Sequence, residues 1–147
     1  MIYFYDALFI LLFVPALILV VLRYRHRLAS EFLFKAGERF GSWDMSAAAK
    51  DPGKPLIWVH CASLGEVKAV EPVLRKLHDL NILITTVTLS GRQYASESNI
   101  AKHVFFVPFD LSFLVKKALR RTGAAALILV ETELWPGLIC AAGDAGA

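Results

Sequence analysis

The sequence predicts an α/β domain, a parallel sheet with helices on both faces, preceded by a separate apolar helix. Three observations lead there. Short apolar runs rich in β-favouring residues alternate four times with stretches whose apolar residues recur at helical spacing. Each run stops at a turn of Ser, Gly or Pro. The hydrophobic excess, 56% of 147 residues, is concentrated at the N-terminus, so the mean hydropathy of +0.53 describes a membrane segment joined to an ordinary domain.

Met1 to Leu22 is apolar apart from Asp6. As a helix it is about 33 Å long, enough for the hydrocarbon core of a bilayer, and Pro15 is tolerated in such a helix. Arg23, Arg25 and Arg27 follow at once. A secretory signal has its positive charge before the apolar run and a small-residue cleavage site after it. Here the order is reversed, which predicts an uncleaved anchor over residues 1–22 with the arginines and the rest of the chain in the cytoplasm. A helix lying in the membrane interface is the weaker alternative.

Residues 23–54 read as a basic juxtamembrane linker. It holds a short amphipathic piece around Phe32, Leu33 and Phe34, then GERFG from Gly37 to Gly41, then a loop. Lys35 and Arg39 would either lie near an anionic membrane surface, each adding roughly 1 kcal/mol of attraction, or be solvated.

The domain proper is expected over residues 55–147. Leu56 to Val59 is the first strand, after the breakers Pro52, Gly53 and Pro55; Ser63 and Gly65 end it. Val67, Val70, Leu74 and Leu77 then fall on one face of a helix. Asn81 to Thr88 is the second strand, turned by Ser90 and Gly91, with a weak helix from Arg92 to Ile100. Val104 to Val107 is the third, stopped by Pro108. Asp110 is placed to cap a helix with the stripe Leu111, Leu114, Val115, Ala118 and Leu119, basic residues opposite and Gly123 at its end. Ala125 to Val130 reads as a strand buried on both faces. Leu134 to Ala142 opens a last helix. The order implies a Rossmann-like sheet, which usually has more than four strands, so the end at AAGDAGA is expected to fall inside a domain.

In an open parallel sheet, ligands bind beyond the carboxyl ends of the strands. That rim collects Ser63, Gly65 and Glu66 after the first strand, Thr86, Thr88, Ser90 and Gly91 after the second, Pro108 and Asp110 after the third, and Glu131, Thr132, Glu133, Trp135 and Pro136 after the fourth. Glu66 admits two readings. An acid in the first turn of a helix is ordinary capping chemistry, and a carboxylate held ionised by the helix dipole suits a general base. Glu131 ends an apolar strand, where a carboxylate is costly without partners or solvent. Glu133, just before the helix, suits a cap.

Other chemistries lack their residues. A nucleophile elbow needs glycine at position 61, which is Cys61. No phosphate loop or G-x-G-x-x-G is present. His60, His78 and His103 show no metal-ligand spacing, and His60 at a strand end reads as structural. The net charge of +3 comes largely from the residues after the apolar segment, with no basic stripe interleaved with aromatics, so nucleic acid is not an expected partner. Cys61 and Cys140 form no CxxC and read as packing residues, Cys140 in the core, in a reducing compartment.

HCASLGE at 60–66, TTVTLSG at 85–91, VPFD at 107–110 and ETELWPG at 131–137, with the anchor and GERFG before them, give the chain a resemblance to the amino-terminal half of the bacterial Kdo transferases (3-deoxy-D-manno-octulosonic acid transferases). It departs at Ala62 and Leu64 in the first block, at Leu89 and Ser90 in the second and at Gly137 in the last. The resemblance implies the N-terminal, acceptor-binding domain of a GT-B type glycosyltransferase. It implies transfer of Kdo from CMP-Kdo to a lipid A precursor with inversion and without a metal or other cofactor. It matches Glu66 to the catalytic base and Glu131 to a stabiliser of the transition state, and it places Ser63, Gly65, Thr86, Thr88, Ser90 and Gly91 at the acceptor. CMP-Kdo would be bound by a C-terminal domain beyond Ala147, leaving these 147 residues inactive alone. Two alternatives remain open: a membrane-tethered transferase of the same fold for another sugar or lipid, and a non-catalytic binding module.

Overall fold

The computed structural model describes residues 2–23, 34–45, 53–77, 79–131 and 134–147. Expectations for Arg25, Arg27, Phe32, Leu33, His78, Thr132 and Glu133 lie outside the described residues. The elements are helix α1 (Ile2–Arg23), a single turn α2 (Ala36–Arg39), β1 (Leu56–His60), α3 (Leu64–Leu74), β2 (Asn81–Thr86), α4 (Leu89–Glu97), β3 (His103–Phe106), α5 (Ser112–Thr122), β4 (Ala126–Leu129) and α6 (Pro136–Ala145).

The four strands form one parallel sheet in the order β3-β2-β1-β4. Leu56 pairs with Asn81 and His60 with Thr85 across β1–β2; Ile57 pairs with Ala126 across β1–β4; Leu83 pairs with His103 across β2–β3. Alternate residues face opposite sides of a strand, and the two cores follow that alternation. Val59, Ile82 and Ile84 pack with Val67 and Leu74 of α3 and Ala95 of α4. Trp58 and Leu83 pack with Val115, Ala118 and Leu119 of α5 and Leu138, Ala141 and Ala142 of α6. So α3 and α4 cover one face, α5 and α6 the other. The chain winds outward from β1 to β2 to β3, then crosses back to β4 on the far side of β1. Its direction of winding reverses between β1 and β4.

Several expectations are corrected. Ala125–Val130 is not buried on both faces. β4 has only β1 beside it among the described residues, and Ile128 is 42% exposed. Cys140 is exposed rather than in the core, because α6 turns Leu138, Ala141 and Ala142 inward; Cys61 is fully buried as expected. α4 starts at Leu89 rather than Arg92, since the Thr88 side chain accepts from the Gly91 N–H and draws Ser90 and Gly91 into the first turn.

Asp110 does not cap α5. The N-cap there is Leu111, and the donors are met by Asp6, which accepts from the Ser112 N–H and hydroxyl. Asp110 instead accepts from the Gly137 and Leu138 N–H groups at 3.0 and 2.8 Å, capping α6 across the fold. A Cβ at residue 137 would come within 2.5 Å of Asp110 Oδ1, so this contact requires glycine there. The stripe Leu111, Leu114, Val115, Ala118 and Leu119 is buried as read, and Gly123 closes α5 in the left-handed conformation at φ 59°.

Residues 34–45, expected as linker, pack on the domain. Trp43 is buried against Trp58 and stacked on Phe105, with ring centroids 5.0 and 5.2 Å apart. Glu38 is buried and accepts from Arg92 Nε and Nη2 at 3.1 and 2.9 Å and from the Phe106 N–H at 2.8 Å. Arg39 is buried rather than solvated: its guanidinium lies 4.3 Å from the Phe106 ring centroid and donates to the Val87 carbonyl at 3.0 Å. A charge can sit there because its partners replace the lost water.

Among the described residues one helix, α1, is long and apolar enough by length and composition to cross a membrane, over Ile2–Leu19.

Candidate active site

The first rim loop is a capping box. Ser63 is the N-cap of α3, and its Oγ accepts from the Glu66 N–H at 3.4 Å. The Glu66 carboxylate reaches back, accepting from the Ala62 N–H and the Ser63 hydroxyl, both at 2.7 Å. The capping reading of Glu66 is therefore realised in the structure. It does not exhaust the group, since an ionised carboxylate has about four acceptor sites. The side chain is fixed in one orientation at a helix N-terminus, where the dipole favours its negative charge. Gly65 beside it is exposed. A Cβ there would meet only Ser63 Oγ, at an ordinary 3.7 Å, so the packing does not demand glycine.

The second loop is locked to the first. Val87 and Thr88 donate their N–H groups to the Ala62 carbonyl at 3.1 and 3.3 Å. Gly91 is buried against the Ser63–Leu64 peptide, and a Cβ there would stand 3.0 Å from Thr88 Oγ1 and 3.2 Å from Leu64 N. Here glycine is what allows the loops to touch. Thr86 is buried beneath them, its hydroxyl donating to the Thr88 carbonyl at 3.2 Å, while Ser90 is exposed on the surface of the loop.

Glu131 follows β4, the strand beside β1. The last ladder bond runs from the Val130 N–H to the His60 carbonyl at 3.0 Å, so Glu131 comes next to the Cys61–Ala62 stretch that leads to Glu66. Its φ is 62°, a left-handed conformation that costs a residue with a side chain roughly 1–2 kcal/mol. It is exposed, and among the described residues no hydrogen bond or ion pair reaches its carboxylate.

His60 lies beneath this junction. Its Nδ1 is 3.0 Å from Thr85 Oγ1 and 3.2 Å from the Thr85 carbonyl, and its ring meets Trp135 edge to face at 5.2 Å. Burial pushes its pKa down to about 4, outweighing the Thr85 carbonyl and the nearby Glu66, so the imidazole is neutral. Burial, then the Glu66 charge, pushes the Cys61 thiol up to about 12, which leaves it unreactive.

The structure thus brings Ser63, Glu66, Thr88 and Gly91 into contact, buries Thr86 below them, leaves Gly65 and Ser90 open, and sets Glu131 on the adjoining strand. Reading along the chain missed Glu38 and Arg92, which pin α4 to α2 and β3 behind the second loop. It also missed Tyr5 and Asp6, which tie α1 to α5 and α6. GERFG was a visible signal for Glu38, and the lone Asp6 in an apolar run was one for the second pair.

A parallel sheet whose winding reverses beside a carboxylate-bearing rim belongs to the class of α/β domains that bind ligands at the strand ends. Within that class the chain belongs to the Kdo transferase family: residues 35–147 match the model described as 3-deoxy-D-manno-octulosonic-acid transferase (kdotransferase), the N-terminal domain of a GT-B type glycosyltransferase. The resemblance carried by HCASLGE and ETELWPG holds. The chain is 36% identical over 134 residues to a probable mitochondrial 3-deoxy-D-manno-octulosonic acid transferase of Arabidopsis thaliana, covering 88% of this chain and 29% of that protein. It is 35% identical over 136 residues to the 3-deoxy-D-manno-octulosonic acid transferase of Haemophilus influenzae, with the same coverage of 88% and 29%. Similarity also extends over 91 residues, 36% identical, to a bifunctional glycosyltransferase/methyltransferase of Fusobacterium nucleatum, covering 56% of this chain and 14% of that one. The chain spans less than a third of the length of these relatives.

Proposed function

We propose that this chain is the acceptor-binding part of an enzyme that transfers Kdo from CMP-Kdo to a lipid A precursor, in the first steps of lipopolysaccharide core assembly. The observation that carries the reading is the position of the two glutamates: the winding of the sheet reverses between β1 and β4, and those are the strands that deliver Glu66 and Glu131. In this reading Glu66 accepts the proton of the acceptor hydroxyl as its oxygen attacks the anomeric carbon of Kdo. The bond from that carbon to the CMP phosphate oxygen breaks, CMP leaves, and the configuration inverts without a metal. Glu131 stabilises the transition state. Ser63, Gly65, Thr86, Thr88, Ser90 and Gly91 form the acceptor side, with exposed Gly65 and Ser90 nearest to solvent. CMP-Kdo is held by a further domain, so the 147 residues alone bind it poorly and do not turn over. α1 keeps the rim at the cytoplasmic face of the inner membrane, raising the effective concentration of a lipid acceptor.

The completed capping box favours a second reading, in which Glu66 only holds the helix end. One substitution separates them. Glu66→Gln keeps one side-chain oxygen to accept from the Ala62 N–H while its amide group donates to Ser63 Oγ, since glutamine serves in a capping box, but it removes the base. In the complete protein, the transferase reading expects unchanged folding and a loss of Kdo transfer of about a hundred- to ten-thousand-fold. Full activity of Glu66→Gln would leave capping as its whole role. Radiolabelled transfer to a lipid A precursor, set against other acceptors, also tests the substrate.

A further inference from the structure

His60 touches the chain on both sides of Glu131. Upstream, its carbonyl accepts from the Val130 N–H at 3.0 Å, the last bond of the β1–β4 ladder. Downstream, its ring meets Trp135 edge to face, with ring centroids 5.2 Å apart. Glu131 lies between Val130 and Trp135 in the sequence. One residue of β1 therefore holds both ends of the segment that carries it.

The ring is itself anchored. His60 is fully buried, and its Nδ1 lies 3.0 Å from Thr85 Oγ1 and 3.2 Å from the Thr85 carbonyl. It is held whichever nitrogen carries the proton: a protonated Nδ1 donates to the carbonyl, and an unprotonated one accepts from the hydroxyl. Thr85 Oγ1 also accepts from Trp58 Nε1 at 2.8 Å, which joins the ring to the core under α5 and α6. Among the described residues no hydrogen bond reaches the buried Nε2. A buried nitrogen without a partner costs stability, and an apolar ring would fill the same space without that cost. Filling space does not call for histidine here; the Nδ1 contact that orients the ring against Trp135 does.

Glu131 has little else to fix it. It is exposed, its φ is 62°, and among the described residues no hydrogen bond or ion pair reaches its carboxylate. A residue in such a conformation keeps it only where the surroundings over-determine it. The ladder bond secures the upstream side. Downstream, Trp135 is the N-cap of α6, the helix that Asp110 holds through Gly137 and Leu138.

We propose that His60 is a positioning residue for Glu131: its carbonyl and its ring hold the two ends of the Glu131 segment and so set where the carboxylate stands beside the Glu66 loop. This rests on the role proposed above for Glu131 in Kdo transfer.

The test uses the complete protein at neutral pH. His60→Asn keeps an amide for Thr85 and the backbone carbonyl for Val130, and takes the ring away from Trp135. It is expected to lower kcat for Kdo transfer by about ten- to a hundredfold, the cost of a small misplacement, with the KM values for donor and acceptor unchanged. In a Glu131→Gln background the same substitution should cause no further loss, since residues that act through one group are not additive. An equal fold-loss in that background would overturn the proposal, because His60 would then act elsewhere; so would full activity of His60→Asn. Trp135→Leu reaches the same contact from its partly exposed side and is expected to behave alike, which keeps the test decisive if His60→Asn does not fold. A second signal reads the grip without catalysis. With 5-fluorotryptophan at all three tryptophans, the Trp135 fluorine resonance, assigned by its loss in Trp135→Leu, should move in His60→Asn. An unmoved resonance in the folded variant sinks the proposal. Full transfer by Glu131→Gln together with a moved resonance would instead show that the grip stands and that the catalytic reading of Glu131 has failed.

Discussion

The rim has two regions built in opposite ways. At the carboxyl ends of β1 and β2 the loops are cross-locked: Ala62 takes two N–H donors from the second loop, Gly91 lies against the Ser63–Leu64 peptide, and Glu66 is held by two hydrogen bonds of 2.7 Å. At the carboxyl end of β4, Glu131 stands exposed on left-handed backbone with no described partner for its carboxylate. The contrast suits the division of labour proposed for Glu66 and Glu131. A base must be held in one orientation before the acceptor arrives, because misplacement costs rate steeply. A charge that stabilises a transition state shared with a donor needs room on its outer side, and backbone strain held in place by surrounding structure is a common mark of such positions.

The largest expected effect breaks the locked side chemically. Glu66→Gln should lower Kdo transfer by about a hundred- to ten-thousand-fold at unchanged melting temperature. Next comes the support behind the second loop. Glu38→Ala leaves the buried Arg92 guanidinium without its ion pair, and breaking such a pair costs about 3–5 kcal/mol. Urea unfolding reads this directly, and a loss below 1 kcal/mol would mean that the loops hold without α2.

His60, beneath the junction of the two regions, makes stability depend on pH. Its folded pKa of about 4 lies below the ordinary value of 6.5, so the unfolded chain binds the proton more readily. Its contribution is full above about pH 6.5 and is lost as pH falls towards 4, amounting to about 3 kcal/mol at most. Denaturant midpoints across that window should show the slope, and His60→Gln should flatten it.

A pair of glycine substitutions compares the locked contact with the open one. Gly91→Ala forces a Cβ against Thr88 Oγ1 and Leu64 N and should destabilise by about 1–3 kcal/mol. Gly65→Ala, with room for a methyl group inside a helix, should be neutral or stabilising by up to about 1 kcal/mol. If it also impairs transfer in the complete protein, the space beside Gly65 belongs to the acceptor. The smallest effect lies on the open side. Glu131→Gly relieves the left-handed strain and should raise stability by about 1 kcal/mol while lowering transfer. A drop in stability would show that the Glu131 side chain has a structural role.

The locked region was legible where its contacts are local. Ser63 and Glu66 are three residues apart, and Thr88 and Gly91 likewise, so capping chemistry alone announces them. The open region was legible only as an oddity, a carboxylate at the end of an apolar run. The errors share one cause. Asp110 precedes α5 and looked like its cap, yet its lone pairs go to Gly137 and Leu138 while Asp6 serves α5. Arg39 looked like a linker residue, at a membrane surface or solvated, because its partners, Val87 and Phe106, are far along the chain. Ala125–Val130 looked doubly buried because hydrophobicity does not report how much of a strand is covered, and among the described residues β4 is only partly covered.

By itself, the sequence determined the alternation of strands and helices, the α5 stripe from Leu111 to Leu119, the stop at Gly123 and the Ser63–Glu66 box. Each of these depends on the periodicity and hydrogen bonding of residues within a turn or two of one another. Only the tertiary structure decided the order β3-β2-β1-β4, the reversal of winding that sets Glu131 beside the Glu66 loop, the burial of Glu38 with Arg92, and the bonding of Tyr5 and Asp6 to Asp110 and Ser112, more than a hundred residues away. Those contacts depend on how the layers close over one another, and a hydrogen-bonding side chain takes whichever donor that closure brings within 3 Å.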